Sequence, residues 1–125
     1  MMDIGNLKNN YTYYEGYEGE CEIVFFIQDH EEYNLHIWEG YFEEAFGDPA
    51  FKENGWIGFT RDYQEGIYAF SDHECVLEDL PNYLKDLREC IERIYDKDTQ
   101  MCLEQLIYFI TFAMKNGYSI VVKNS

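Results

Sequence analysis

The sequence has few basic residues and no apolar run long enough to cross a membrane. Nine Lys and Arg stand against 25 Asp and Glu, which gives a net charge of −16. Such a chain repels phosphate groups, so nucleic acid and anionic membranes are disfavoured as direct partners. The start, MMDIGNLKNN, also lacks the basic and apolar segments of a signal peptide. We therefore expect a soluble, cytoplasmic protein.

Metal and cofactor motifs are also missing. Neither the cysteines nor the histidines show the spacing of a zinc site or of a C-x-x-C redox motif. His73 and Cys75 could share one side of a strand, but no further ligands follow at a suitable distance. We predict no metal site and no cofactor. In a reducing compartment we expect all four cysteines to be buried as small apolar side chains: Cys21, Cys75, Cys90 and Cys102.

The acidic residues are unevenly distributed along the chain. Residues 1–78 hold 18 acids and 3 bases, whereas residues 79–125 hold 7 acids and 6 bases. The first part also holds 17 of the 23 aromatic residues. Crowded like charges destabilise a fold by repulsion, so their concentration in one region indicates a basic partner. Solubility alone would not require this asymmetry.

A chain of 125 residues can form one domain with a hydrophobic core. We predict a single domain over residues 1–125, with residues 1–10 loosely held. The apolar segment CEIVFFIQ, residues 21–28, is typical of a central strand. It is predicted to form an antiparallel hairpin with YNLHIW, residues 33–38, whose alternation places residues 33, 35 and 37 on one face.

The middle of the chain is harder to interpret. Residues 39–54 fit a short helix or a strand with a bulge equally well. The segments WIGFT, residues 56–60, and GIYAFS, residues 66–71, are predicted to be two further short strands.

The last third predicts two helices and a strand. Apolar residues from Leu80 to Ile94 recur at helical spacing, with Asp79 as N-cap and Pro81 in the first turn. A second helix should begin at an Asp98 or Thr99 cap and end at Gly117. YSIVVK then returns to the sheet as a strand.

Together these segments predict an α+β fold: an antiparallel β-sheet from the N-terminal part packed against two C-terminal helices, with a final C-terminal strand. Because the helices should cover one face of the sheet, we expect the acidic and aromatic residues on the other face and its loops.

Three Glu-Gly pairs directly follow an aromatic residue, at 14–16, 17–19 and 38–40, and YQEG at 63–66 has one extra residue. Glycine commonly ends strands in turns, which is the simpler interpretation. The same pairs place a carboxylate beside a ring, an arrangement that suits Lys or Arg. We predict a contact surface formed by eleven residues: Tyr13, Tyr14, Glu15, Tyr17, Glu18, Glu39, Glu43, Glu44, Asp62, Tyr63 and Glu65. Trp38 and Trp56 could belong to this surface or to the core.

These aromatic-Glu-Gly turns, the WIGF segment and the acidic, aromatic character of the chain resemble the immunity proteins of bacterial toxin systems. Proteins of that kind bind a toxin domain made beside them and protect the producing cell. The resemblance implies an inhibitor, not an enzyme. Its partner would be a basic toxin domain, such as a nuclease that must hold phosphates. The oligomeric state and the identity of the toxin stay open.

Two other functions are compatible with the sequence. A DNA-mimicking regulator would share the negative charge, but it needs carboxylates spaced like phosphates along an extended face. A small carbohydrate-binding or hydrolytic domain would need a cleft lined by aromatic rings, with two close carboxylates of perturbed pKa.

Overall fold

The computed structural model describes residues 7–49, 51–66 and 74–124. Within these ranges five strands form one mostly antiparallel sheet and four helices accompany it, which confirms the α+β prediction. The strands are β1 (Asn10–Tyr13), β2 (Glu22–Ile27), β3 (His30–Trp38), β4 (Cys75–Val76) and β5 (Ile120–Asn124). The helices are α1 (Glu39–Phe46), α2 (Gly58–Glu65), α3 (Leu80–Ile91) and α4 (Lys97–Asn116). No helix within the described ranges has the length and apolar character needed to cross a membrane.

The sheet has the order β1-β3-β2-β5-β4, so β2 is its central strand as predicted. The predicted hairpin is confirmed: β2 and β3 pair antiparallel, with Ile23 opposite Ile37. The predicted C-terminal strand is confirmed too, since β5 pairs with β2 on one side and β4 on the other. Among the described strands, β1 alone departs from the antiparallel pattern and runs parallel to β3 at one edge of the sheet.

The core lies between one face of the sheet and the helices. Leu35 and Ile37 are fully buried on this face, as the alternation of β3 predicts. Phe25 of β2 contacts two rings from the helices, with centroid distances of 6.0 Å to Phe42 and 5.7 Å to Phe59. Burial of several large rings in one cluster supplies much of the apolar driving force for folding.

Residues 7–10 are held more firmly than we expected. Leu7 is fully buried, and the backbone of Lys8 forms an isolated antiparallel β-bridge with that of Tyr33. Asn10 is the first residue of β1. The backbone N–H of Asn9 donates to the carbonyl oxygen of Glu32 at 3.1 Å. A single Leu among polar residues has no periodicity, so no local pattern indicated its burial.

Replacing Leu7 with alanine should lower the free energy of unfolding by about 3 kcal/mol, because a buried Leu loses its transfer energy and leaves a cavity. Urea unfolding checks this, with Lys8→Ala as the control because Lys8 is exposed. Equal stability of Leu7→Ala and wild type would show that residues 7–10 do not stabilise the fold.

Residues 39–54, which fitted two alternatives, contain helix α1, and the described residues after Phe46 in this range form neither helix nor strand. The strand predicted over WIGFT is wrong, because α2 begins at Gly58 inside this segment. The strand predicted over GIYAFS lies outside the described residues, apart from Gly66. That glycine ends α2 with a φ of 63°.

Helix α2 begins where it does because α3 supplies its N-terminal cap. The buried carboxylate of Asp86 accepts the backbone N–H of Thr60 at 2.8 Å and the Thr60 hydroxyl at 2.9 Å. It thereby satisfies a helix N–H that would otherwise be buried without an acceptor. Gly58 has a φ of 60°, and a Cβ placed on it would lie 2.8 Å from the Asp86 Cβ. Only glycine therefore allows α2 to approach α3 this closely.

Burial raises the pKa of Asp86 above its ordinary value of 3.8, although the Thr60 bonds oppose part of this effect. The folded chain thus binds this proton more tightly than the unfolded chain, and its stability falls as the pH rises through the raised pKa. Asp86→Asn should remove this dependence. The stability of wild type relative to the variant should therefore decline as the pH rises from 3.8 upward. Urea unfolding of both proteins across this range tests it, and a difference that grows with pH would contradict it.

Helices α3 and α4 occur where predicted, although α3 ends at Ile91, before Ile94, the last residue of the predicted helical spacing. Asp79 precedes α3 as expected, but its carboxylate accepts from the Asn82 side chain at 2.6 Å instead of capping the helix backbone. The cap of α4 is Asp96, which accepts the Thr99 N–H at 2.9 Å, so the predicted Asp98 or Thr99 cap is wrong. Gly117 ends α4 as predicted, with a φ of 68°.

The cysteines differ from the expectation of uniform burial. Cys90 and Cys102 are buried, Cys75 is half-buried, and Cys21 is exposed just before β2. Burial raises the pKa of Cys75 to about 11, so this thiol stays protonated near neutral pH.

Candidate functional site

The turn after β1 folds back onto the end of β3. Gly16 and Gly19 have φ values of 90° and 95°, which confirms the turn interpretation of the first two Glu-Gly pairs. The Tyr14 hydroxyl closes the turn by donating to the Glu20 carbonyl oxygen at 2.7 Å. The Trp38 indole N–H donates to the Glu20 carboxylate at 3.3 Å. These bonds leave Glu15 and Glu18 exposed on the turn.

Four half-buried rings meet where this turn reaches α1, and we call them the aromatic corner: Tyr13, Tyr17, Trp38 and Tyr41. The Tyr17 ring stacks on Trp38 with a centroid distance of 3.9 Å and an interplanar angle of 2°. Tyr41 meets both edge-on, at 6.2 Å from Tyr17 and 5.4 Å from Trp38. Trp38, which could have belonged to the surface or to the core, is half-buried and supports Tyr17 from behind.

The third Glu-Gly pair is not a turn, because Gly40 lies in the first turn of α1. A Cβ on Gly40 would overlap the Trp38 ring. The glycine thus lets the indole lie across the helix and reach Tyr17.

A concavity of about 330 Å³ opens beside the aromatic corner. Residues of the β1 turn, α1 and α4 line it: Thr12, Tyr13, Glu15, Tyr17, Tyr41, Asp98 and Met101. Burial raises the pKa of Tyr13. Electrostatic interactions with Cys102, Glu104 and Asp98 raise it further. Burial and a hydrogen bond with Tyr17 raise the pKa of Tyr41. Both phenols are therefore neutral near pH 7, and carboxylates supply the charge of the concavity.

A second acidic and aromatic group lies on the other side of α1. Glu39 and Glu43 are one helical turn apart, next to Tyr63 of α2. Burial makes the largest contribution to raising the pKa of Tyr63, and the charges of Glu43 and Glu39 raise it further. Glu44 and Glu65 are exposed on the same two helices. Helix α1 therefore joins the group at the β1 turn to the group at Tyr63, although the two are far apart in the sequence.

Asp62 does not belong to the predicted contact surface. It is only 2% exposed and accepts the Tyr83 hydroxyl at 2.6 Å. Its other carboxylate oxygen accepts from the Arg61 guanidinium at 2.8 Å. The prediction placed residues 61–65 between two strands, whereas α2 contains them and turns Asp62 toward Tyr83 of α3. The other ten predicted residues are exposed or half-buried.

The sequence reasoning missed Tyr41 and three residues of α4: Asp98, Met101 and Glu104. The prediction placed the acidic surface in residues 1–78, so it left out the exposed side of α4. Met101 is 53% exposed and lies off the buried side of the helix. The spacing of Asp98 and Met101, three residues apart, was a signal that could have placed them on one exposed face. Trp56 lies elsewhere, lining a small cavity beside Asp86.

The open face of the sheet is less acidic than we expected. His36 lies there with its Nδ1 2.9 Å from the Glu22 carboxylate, and the Tyr11 ring stacks on it at 3.9 Å. Lys123 lies over the Phe26 ring, 5.6 Å from its centroid. Of the predicted acids, Glu15 and Glu18 lie on the β1 turn, and Glu39, Glu43, Glu44 and Glu65 lie on helices. Among the described residues, no group of three or more His, Cys, Asp or Glu is arranged to hold a metal ion.

Comparison of the chain with protein-family models, with curated proteins and with solved structures found no match. The interpretation of the site rests on its own geometry and charge.

Proposed function

We propose that this protein is an immunity-type inhibitor that binds and neutralises a basic toxin domain. Its contact surface consists of ten residues: Tyr13, Tyr14, Glu15, Tyr17, Glu18, Glu39, Glu43, Glu44, Tyr63 and Glu65. The observation that carries this proposal is that α1 brings the acids of the β1 turn, its own acids and the aromatic corner together.

Charge and aromatic rings have different roles in such an interface. Carboxylates on one surface steer a basic partner and can raise the association rate by orders of magnitude at low salt. Tyr and Trp side chains then slow dissociation, because they bury large areas with few rotatable bonds. The partner favoured by this chemistry is a nuclease domain, since its substrate site must be basic. The inhibitor would act in the cytoplasm of the producing cell, and it needs no catalytic residue.

The geometry gives less support to a hydrolytic function. The two buried carboxylates described, Asp62 and Asp86, each accept hydrogen bonds from internal donors. Neither lies among the residues that line the concavity beside the aromatic corner. A DNA mimic is also less favoured, because the exposed acids of the contact surface occupy a turn and two short helices instead of one extended line.

The test is protection together with direct binding. The protein should restore growth of cells that produce the toxin domain encoded beside its gene. Isothermal titration calorimetry should detect a complex whose affinity falls as salt increases. Failure to protect together with failure to bind would overturn the proposal.

A further inference from the structure

We propose that the concavity beside the aromatic corner receives one arginine side chain of the basic partner. This inference rests on the proposed function, because its occupant belongs to that partner. The volume of about 330 Å³ lies at the lower end of the range for whole ligands, which is roughly 300–1,000 Å³. A single side chain suits this size.

The rings of the concavity are arranged to attract a cation. Tyr41 stands nearly perpendicular to both neighbouring tyrosines, at 79° to Tyr13 and 79° to Tyr17. Because the rings are perpendicular, the concavity between them is bordered by ring faces as well as ring edges. The face of an aromatic ring carries negative potential, so a cation is drawn toward it. Trp38 covers one side of Tyr17 and fixes the ring in place.

Two carboxylates line the same space. Glu15 comes from the β1 turn and Asp98 from the first turn of α4, and both are exposed. Three ion pairs join described residues to one another, and neither Glu15 nor Asp98 takes part in them. These carboxylates are therefore available to a charge supplied by a partner.

Guanidinium fits this arrangement better than ammonium does. It is planar and can stack on a ring, and its N–H groups can bond two carboxylates at once. It is also more weakly hydrated, so its transfer from water costs less. The thioether of Met101 offers a flexible apolar contact for the alkyl part of the arginine side chain.

The cavity can be tested without the partner. We would label the methionine methyl groups with ¹³C and titrate the intact protein with N-acetyl-arginine amide. The Met101 methyl signal should shift to saturation. The signal of Met114, which lies near the other end of α4 and is 40% exposed, should not shift. N-acetyl-citrulline amide, a neutral molecule of similar shape, should bind much more weakly. Equal binding of the arginine and citrulline compounds would overturn the inference. Tighter binding of the corresponding lysine amide, or the absence of a saturable shift of the Met101 signal, would also overturn it.

Isosteric neutral variants test the carboxylates. Glu15→Gln combined with Asp98→Asn should raise the dissociation constant for the arginine compound about fivefold, as expected for two exposed ion pairs. The control is Glu31→Gln combined with Glu32→Gln. It changes the net charge equally at the far end of β3 and should leave binding unchanged. Equal weakening by both pairs of substitutions would show a general charge effect and overturn the assigned roles.

The arginine-binding proposal and the proposed function can fail independently of each other. If the arginine compound does not bind while the protein still protects against its toxin, the cavity assignment fails and the proposed function stands. If the compound binds as expected and the protein neither protects against the toxin nor binds it, the proposed function fails. The concavity then remains a guanidinium site.

Discussion

Reversing the charge of Glu15, Glu18, Glu43 and Glu44 to lysine should slow association with the proposed basic partner by about a hundredfold at low salt. This estimate follows from the difference between electrostatically steered and unsteered protein association. All four side chains are exposed, so the substitutions should leave the core intact. The variant should also lose most of the salt dependence of its association rate, because steering is what salt screens. Stopped-flow mixing at several salt concentrations measures both effects.

The matched control reverses four exposed acids elsewhere: Glu31, Glu32, Glu74 and Glu78. It changes the net charge by the same amount at the far end of β3 and beside β4, which lies at the edge of the sheet opposite β1. Its association rate should fall much less. If both variants associate equally slowly, net charge alone acts and the contact surface is wrong. Unchanged kinetics and unchanged protection in the first variant would also contradict it.

Replacing Gly58 with alanine should lower the free energy of unfolding by about 4 kcal/mol. Two costs combine at this position: a backbone conformation that L-residues rarely adopt and a close contact with Asp86, each worth about 1–3 kcal/mol. The new Cβ would lie 3.2 Å from the Asn82 carbonyl oxygen and 2.8 Å from the Asp86 Cβ. Neither neighbour is the far end of a flexible side chain, so α2 must move away from α3.

Gly66, at the other end of the same helix, provides the control. Its φ of 63° is close to the 60° of Gly58, but a Cβ there meets no atom within 4 Å. Gly66→Ala should therefore cost only about 1 kcal/mol, the cost of the backbone conformation alone. Urea unfolding of the two variants separates the contact from the conformation. Equal destabilisation would show that the approach of α2 to α3 contributes little.

Segments with a strong pattern of their own could be predicted from the sequence. The hairpin of β2 and β3 follows from an apolar run next to an alternating one, and α3 and α4 follow from helical spacing. Glycines at the turn after β1 and at the end of α4 marked boundaries correctly.

The rest depended on contacts between distant residues. WIGFT has the composition of a strand, yet Asp86 of α3 supplies the bonds that let a helix begin at Gly58. Asp62 was predicted to be exposed because a charged residue usually is, but Tyr83 and Arg61 hold it inside. Tyr41 and Asp98 joined the site because α1 packs near the start of α4. Local patterns do not contain these pairings.

The position of β5 within the sheet affects when the chain can complete its fold during synthesis. This strand lies between β2 and β4, and it pairs Ile23 with Asn124 and Ile27 with Ile120. Pairing between distant parts of a chain forms late and slowly. While a ribosome is still making the chain, β2 lacks one of its two neighbours until residues 120–124 have emerged. An inhibitor built this way would reach its folded form only after nearly all of this sequence has been made.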